Sequence, residues 1–293
     1  SLPLFFAGVL LLIATLLVGD IGKGAQRWLD LRVMRFQPSE ILKIATPMMA
    51  AWVMDQAHLP PRWYHLLTTL ILVLIPVYLI YKQPDLGTAV LVLGAGVAVM
   101  FLAGISWQLL LGTLGGAVAI APLIWKLLRP YQQQRILTFL DPESDPLESG
   151  YHIIQATIAV GSGGLYGKGW LMGTQSHLEF LPERSTDFIF AVLAEEFGLT
   201  GILVLFGFYL FIIMRGLQMA IQAQDNYNRL LAGAISLAFF LYVIVNTGMV
   251  TGILPVVGVP LPLVSYGGTS LVTIMAGFGI LMSVHTHRRW IPA

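Results

Sequence analysis

"LPERSTDFIFAVLAEEFG", residues 181–198, sets Glu183, Arg184 and Asp187 just ahead of an apolar run and then places Glu195 and Glu196 inside it. The apolar run extends from 188 to 214, and about 20 apolar residues rising ~1.5 Å each are enough to cross a hydrocarbon core. A carboxylate at that depth is costly unless it faces protein or water. The stretch therefore reads as a membrane span that opens on a polar site.

Working outward from it, 57% of the residues are hydrophobic and only 11% are charged. That balance implies an all-α polytopic membrane protein, read here as a single transmembrane domain over residues 1–293. Apolar runs fall near 2–18, 65–80, 86–105, 108–128, 188–214, 229–250 and 268–285. An eighth, near 39–54, is shorter and carries Glu40, Lys43 and Pro47, which suits a span facing protein or an interfacial helix; counted as a span, it gives about eight spans. The segment 129–187 is too long for a mere connector and forms one long loop. A net charge of +1 and the lack of a basic tail argue against nucleic-acid binding. Zero cysteines exclude disulfides and thiolate chemistry. The chain starts with Ser inside an apolar run, as a fragment or a processed chain would.

Loop charges give a conflicted topology. The side holding the long loop carries Lys23, Arg27, Arg32, Arg35, Lys82, Arg129, Arg135, Lys168 and Arg184, against Arg62, Arg215, Arg229, Arg288 and Arg289 opposite. The positive-inside rule would turn the long loop inward. Most of the acids share that side, however, and basic residues retained for an anionic ligand would mislead the rule.

The polar clusters each have a bland and a sharp reading. In "QPSE", residues 37–40, Ser39 caps a helix start and Glu40 sits where the helix dipole favours an anion. Lys43, three residues on along the same face, needs a partner in an apolar run, and a Glu40–Lys43 pair serves structure or function equally well. In "YKQPDLGTAV", residues 81–90, Asp85 reads first as a helix cap and second as a ligand-binding carboxylate. "GSGGLYGKGW", residues 161–170, has the glycines of a phosphate cradle with Lys168 beside them, but it fits no nucleotide fingerprint, so a flexible turn at the membrane surface is the stronger reading. "ILPVVGVPLPLVSYGGTS", residues 253–270, is too rich in proline and glycine for a regular helix. Irregular backbone at membrane depth must be buried in protein or line a wet cavity, which makes it a plausible wall of a site. Asp187 reads as a helix cap with Arg184 as a neutralising neighbour. Taken together, basic residues, helix N-termini, a glycine-rich loop and several carboxylates gather on one membrane face, an arrangement suited to an anionic headgroup and proton transfer.

The motifs "GAQRWLDL", "FQPSEILKIA", "QPDLGTA", "DPESDPL", "GYHIIQ", "LEFLPERSTDFIFAVLAEE" and "GVPLPLVSYGG" occur in one order across nearly the whole chain. In these it closely resembles the SEDS (shape, elongation, division and sporulation) proteins, and more their elongation than their division branch. The resemblance implies a SEDS-type helix bundle in the bacterial cytoplasmic (inner) membrane, with the long loop extracytoplasmic. It implies a glycosyltransferase that polymerises lipid II, extending undecaprenyl-pyrophosphate-linked glycan among membrane lipids, alongside a class B penicillin-binding transpeptidase. The family's catalytic aspartate falls on Asp187, and its functional glutamate and lysine on Glu40 and Lys43. The family has ten spans, so this chain is expected to start at the third.

The chemistry needs a base for the acceptor 4-hydroxyl and cations for the departing pyrophosphate. Asp187, ionised with help from Arg184, is the expected base. Arg27, Lys43, Lys168, helix N-termini or a divalent cation such as Mg²⁺ or Mn²⁺ are the candidates for the second task, with no other cofactor expected. Glu183 shapes the field at Asp187, and Glu195 or Glu196 is expected to line a polar cavity behind it. Two other functions remain open: a lipid II flippase, for which no internal repeat is found, and a noncatalytic scaffold for the transpeptidase.

Overall fold

The computed structural model describes residues 1–22, 25–30, 35–57, 60–128, 130–141, 149–177 and 183–286. Eleven helices are present among them: α1 (Leu2–Val18), α2 (Pro38–Asp55), α3 (Trp63–Lys82), α4 (Leu86–Leu102), α5 (Trp107–Leu127), α6 (Pro130–Leu140), α7 (Ser149–Ser162), α8 (Thr174–His177), α9 (Ile189–Ile221), α10 (Asn226–Val250) and α11 (Gly268–Thr286). Each of the eight apolar runs coincides with a helix. Four of these, α3, α9, α10 and α11, are long and apolar enough to cross a membrane, and α1 and α4 are shorter apolar helices. The protein is thus an all-α multi-pass membrane protein.

One departure lies at residues 20–36. Here β1 (Asp20–Gly22), β2 (Ala25–Asp30) and β3 (Arg35–Phe36) form a small antiparallel sheet in the order β1-β2-β3. Alternation over so few residues gives too weak a signal for strands.

The chain divides into two compact units, residues 1–104, 210–242 and 267–293 in one and 105–209 with 243–266 in the other. In the first, Phe5, Leu12, Leu42, Ala45 and Met49 pack together, and Ala50, Met54, Val73, Val99, Leu230 and Leu231 form a second cluster. Small residues let the helices approach: a Cβ on Gly96 of α4 would lie 2.5 Å from the Val73 side chain of α3. At the start of α2 the expected cap is not made by Ser39. Gln37 is the N-cap residue and Pro38 takes the first turn, where its missing N–H costs nothing. Ser39 is buried with its Oγ unpartnered among the described residues.

In the second unit, α9 is broken at Gly198, which adopts φ 63 and ψ −163, a region closed to side chains with a Cβ. The break strands backbone groups, and the glycine-rich loop after α7 satisfies them. Leu199 N and Thr200 N donate to Gly164 O and Leu165 O, while Lys168 N and Gly169 N donate to Glu195 O and Glu196 O. This reciprocal exchange meets the demand for internal pairing in a membrane segment. It also explains the glycines. A Cβ on Gly163 would lie 1.9 Å from Ala194 O, and one on Gly167 would lie 2.1 Å from Glu196 O. Gly163 and Gly167 are thus taken up by backbone-to-backbone packing against α9, which ties the loop to the broken helix.

Candidate functional site

Asp187 belongs to a turn, residues 183–188, that ends at the first residue of α9, Ile189. Within the turn, Thr186 N and Phe188 N donate to Glu183 O, and Thr186 Oγ1 donates to Glu183 Oε2 at 2.9 Å. Glu183 holds a left-handed backbone with φ 54, which this local bonding compensates. Glu183 and Arg184 are exposed and Asp187 is half-buried, while the backbone of the turn is held in place.

The holding comes from the irregular segment 251–266 and from α10. Asn246, fully buried, uses its side-chain amide twice, donating to Asp187 O at 2.9 Å and to Val259 O at 2.7 Å. Ser265 Oγ donates to Thr186 O at 2.6 Å and accepts from Leu261 N at 2.7 Å. Tyr266 N donates to Ser185 O at 2.8 Å. Gly258, with φ +70, passes so close that a Cβ there would sit 3.3 Å from Asp187 Oδ2. The proline- and glycine-rich stretch, read as a possible wall, is thus the brace of the Asp187 turn. Asn246 gave no sign in the sequence, since a lone asparagine in an apolar run has no spacing that marks it.

Deeper along α9, Glu195 is completely buried and gathers three donors on Oε1: Lys168 Nζ at 2.7 Å, Thr174 Oγ1 at 3.0 Å and Gln175 N at 3.1 Å. Lys168 also donates to Thr174 Oγ1 at 2.8 Å. This cluster locks the loop onto α9 a turn above the break. The large cavity of this unit, about 660 Å³, is lined by apolar residues such as Phe190, Ile202, Phe206 and Leu254. Glu195 and Glu196 are not part of its lining.

The first unit holds the other candidates. Lys43 Nζ donates to Glu40 Oε1 at 2.6 Å, and both side chains are buried. The ammonium also lies 5.2 Å from the centre of the Tyr242 ring, a cation–π geometry. Asp85 caps α4 by accepting from Thr88 N at 3.2 Å, as its bland reading required, and accepts from Gln37 Nε2 at 3.0 Å. Arg27 donates to Gln83 O at 3.2 Å and to Pro84 O, with a guanidinium nitrogen 4.0 Å from Asp85 Oδ1. Each of Arg27, Lys43 and Lys168 thus arrives already engaged with a protein acceptor. Among the described residues no group of three or more His, Asp or Glu converges as a metal-ligand set.

A bundle of apolar helices, one of them broken, and a braced carboxylate turn define a class of multi-pass membrane protein with a polar site at a span's end. The chain belongs to the FtsW/RodA/SpoVE family, described as cell cycle proteins, which it matches over residues 1–290. This is the SEDS family its motifs resemble. It is 56% identical over 98% of its length to the peptidoglycan glycosyltransferase MrdB of Escherichia coli K12, of which it covers 78%. It is 34% identical to the peptidoglycan glycosyltransferase RodA of Treponema pallidum, over 97% of this chain and 83% of that one. Among solved structures, a chain from a peptidoglycan synthase complex that coordinates polymerization and crosslinking superposes with a TM-score of 0.86 at 34% identity, covering 99% of this chain and 81% of that one. The rod-shape-determining protein RodA of Thermus thermophilus superposes with a TM-score of 0.71 at 30% identity, over 99% and 78% of the two chains.

Proposed function

We propose that this protein is a peptidoglycan glycosyltransferase of the bacterial cytoplasmic membrane that polymerises lipid II, with Asp187 as its general base. The observation that carries the activity is the 56% identity to a peptidoglycan glycosyltransferase across 98% of the chain. The braced, half-exposed carboxylate supports the role of Asp187. In the reaction the 4-hydroxyl of the acceptor sugar attacks the anomeric carbon of the donor. A carbon–oxygen bond forms there as the bond to pyrophosphate breaks, and the hydroxyl proton passes to an Asp187 carboxylate oxygen. Pyrophosphate on its lipid leaves with the bonding electron pair. Arg184, exposed three residues before Asp187, is placed to supply positive charge near the reacting groups.

Arg27, Glu40, Lys43 and Asp85 in the first unit, and Lys168, Glu183 and Glu195 in the second, support substrate as paired groups. Each pair holds a charge at a fixed place and contributes its field without free side-chain motion. The described residues offer no converging cage for a divalent cation, and no step is assigned to one. The similarity to a chain of a peptidoglycan synthase complex supports a transpeptidase partner, of the class B penicillin-binding type.

The test gives labelled lipid II to the protein reconstituted with that transpeptidase and resolves glycan polymer on a gel. Polymer from the parent and none from Asp187→Asn is the expected result. No polymer from either, with lipid II crossing the vesicle membrane, would replace the polymerase with a transporter.

A further inference from the structure

The loop that splices the broken helix has a second face. Leu165, Tyr166, Trp170, Leu171 and Met172, all within an eight-residue tip, are 58–79% exposed. A water-facing loop rarely shows so much apolar surface without a partner for it.

The depth of the tip can be placed from α9. From the break onward α9 exposes Leu199, Leu203, Val204, Phe206 and Phe208, an apolar face of the kind that lies in hydrocarbon, so the break marks the level at which that face begins. The tip is hydrogen-bonded to that level, through Lys168 N and Gly169 N to the carbonyls of Glu195 and Glu196. Trp170 packs its ring 5.6 Å from that of Phe197 at the same height.

The charge of the tip has also been removed. Lys168 is the one charged residue between 161 and 173, and its ammonium turns inward to the buried Glu195. What faces outward is aromatic and aliphatic, in the composition that settles at a membrane–water interface.

We propose that residues 165–172 form an interfacial membrane anchor, seated in the headgroup–acyl boundary of the leaflet next to the 129–187 segment. The Lys168–Glu195 pair neutralises the tip, and the helix break gives the loop its backbone partners at that depth. The anchor fixes the approach of this loop to the bilayer that carries the lipid-linked substrate.

The absence of cysteine makes the test direct, because a single introduced thiol reports one place. Trp170→Cys and Met172→Cys carry an environment-sensitive fluorophore in phosphatidylglycerol–phosphatidylethanolamine vesicles. Phe208→Cys serves as the mid-span control and Gln224→Cys as the aqueous one. Labels at 170 and 172 are expected to emit at shorter wavelength than at 224 and to lose most of their intensity to lipids bearing shallow nitroxides. Quenching by aqueous iodide with no response to the lipid nitroxides, as at 224, would overturn the anchor. Protection from both quenchers would also overturn it, and would assign the patch to a protein partner.

Discussion

Replacing Asn246 removes the two donors that tie Asp187 O and Val259 O together, at 2.9 and 2.7 Å. A buried carbonyl left without a donor costs about 1–3 kcal/mol; Val259 O is buried and Asp187 O only partly, so Asn246→Ala is expected to destabilise the fold by about 2–4 kcal/mol. Asn246→Asp keeps the shape but points anionic oxygens at both carbonyls, and at neutral pH it is expected to cost at least as much. Chemical unfolding in detergent micelles measures the loss, and the polymer gel measures its consequence. Because the brace acts on the backbone of Asp187, folded Asn246→Ala is expected to lose turnover by roughly 10²-fold, the scale set by a misplacement of about 1 Å. If both variants unfold within about 0.5 kcal/mol of the parent and polymerise at its rate, the reasoning that Asn246 holds the turn is wrong.

Other consequences follow from the packing. For the Glu40–Lys43 pair, 2.6 Å apart and buried, Glu40→Gln or Lys43→Met alone is expected to cost about 3–5 kcal/mol, and the double variant much less than the sum. Additive losses in a double-mutant cycle would dismiss the pair as a unit. Gly198→Ala adds a Cβ 2.3 Å from Gly167 N at φ +63, and is expected to cost about 3 kcal/mol or more, read as loss of folded protein on extraction. Gly258→Ala, by contrast, pushes its methyl toward Asp187 Oδ2 and strains a residue at φ +70, so polymer output should fall further than stability.

The helices were legible because each apolar run is bounded by polar residues, and the run at 39–54, which Glu40, Lys43 and Pro47 made ambiguous between a span and an interfacial helix, is the helix α2. The pairing seen between Glu40 and Lys43 shows how an apolar helix carries two charges at once. Asp85 likewise behaves as its position after Pro84 suggests. What could not be read were features made by contacts distant in sequence. The break at Gly198 is invisible in "EEFGLTG" because a single glycine is tolerated in a span. Only the loop at 163–169, some thirty residues away, makes the left-handed conformation affordable in hydrogen bonds. Ser39 was misread as a cap since Gln37, two residues earlier, is the N-cap and Pro38 opens the helix. Glu195, expected to line a polar cavity, turns its Oε1 to Lys168, a loop residue 27 positions away that no local spacing points to.

The central claim is that Asp187 takes the proton of the acceptor hydroxyl, and the most direct measurement compares Asp187→Asn with the parent for both lipid II binding and turnover. The substitution keeps the side chain's size and the backbone bonds from Asn246 and Ser265 while removing the basic oxygen. Binding close to that of the parent with turnover lower by roughly 10²- to 10⁴-fold is the expected result. Turnover within a few-fold of the parent, from protein with an unchanged unfolding transition, would contradict the assignment.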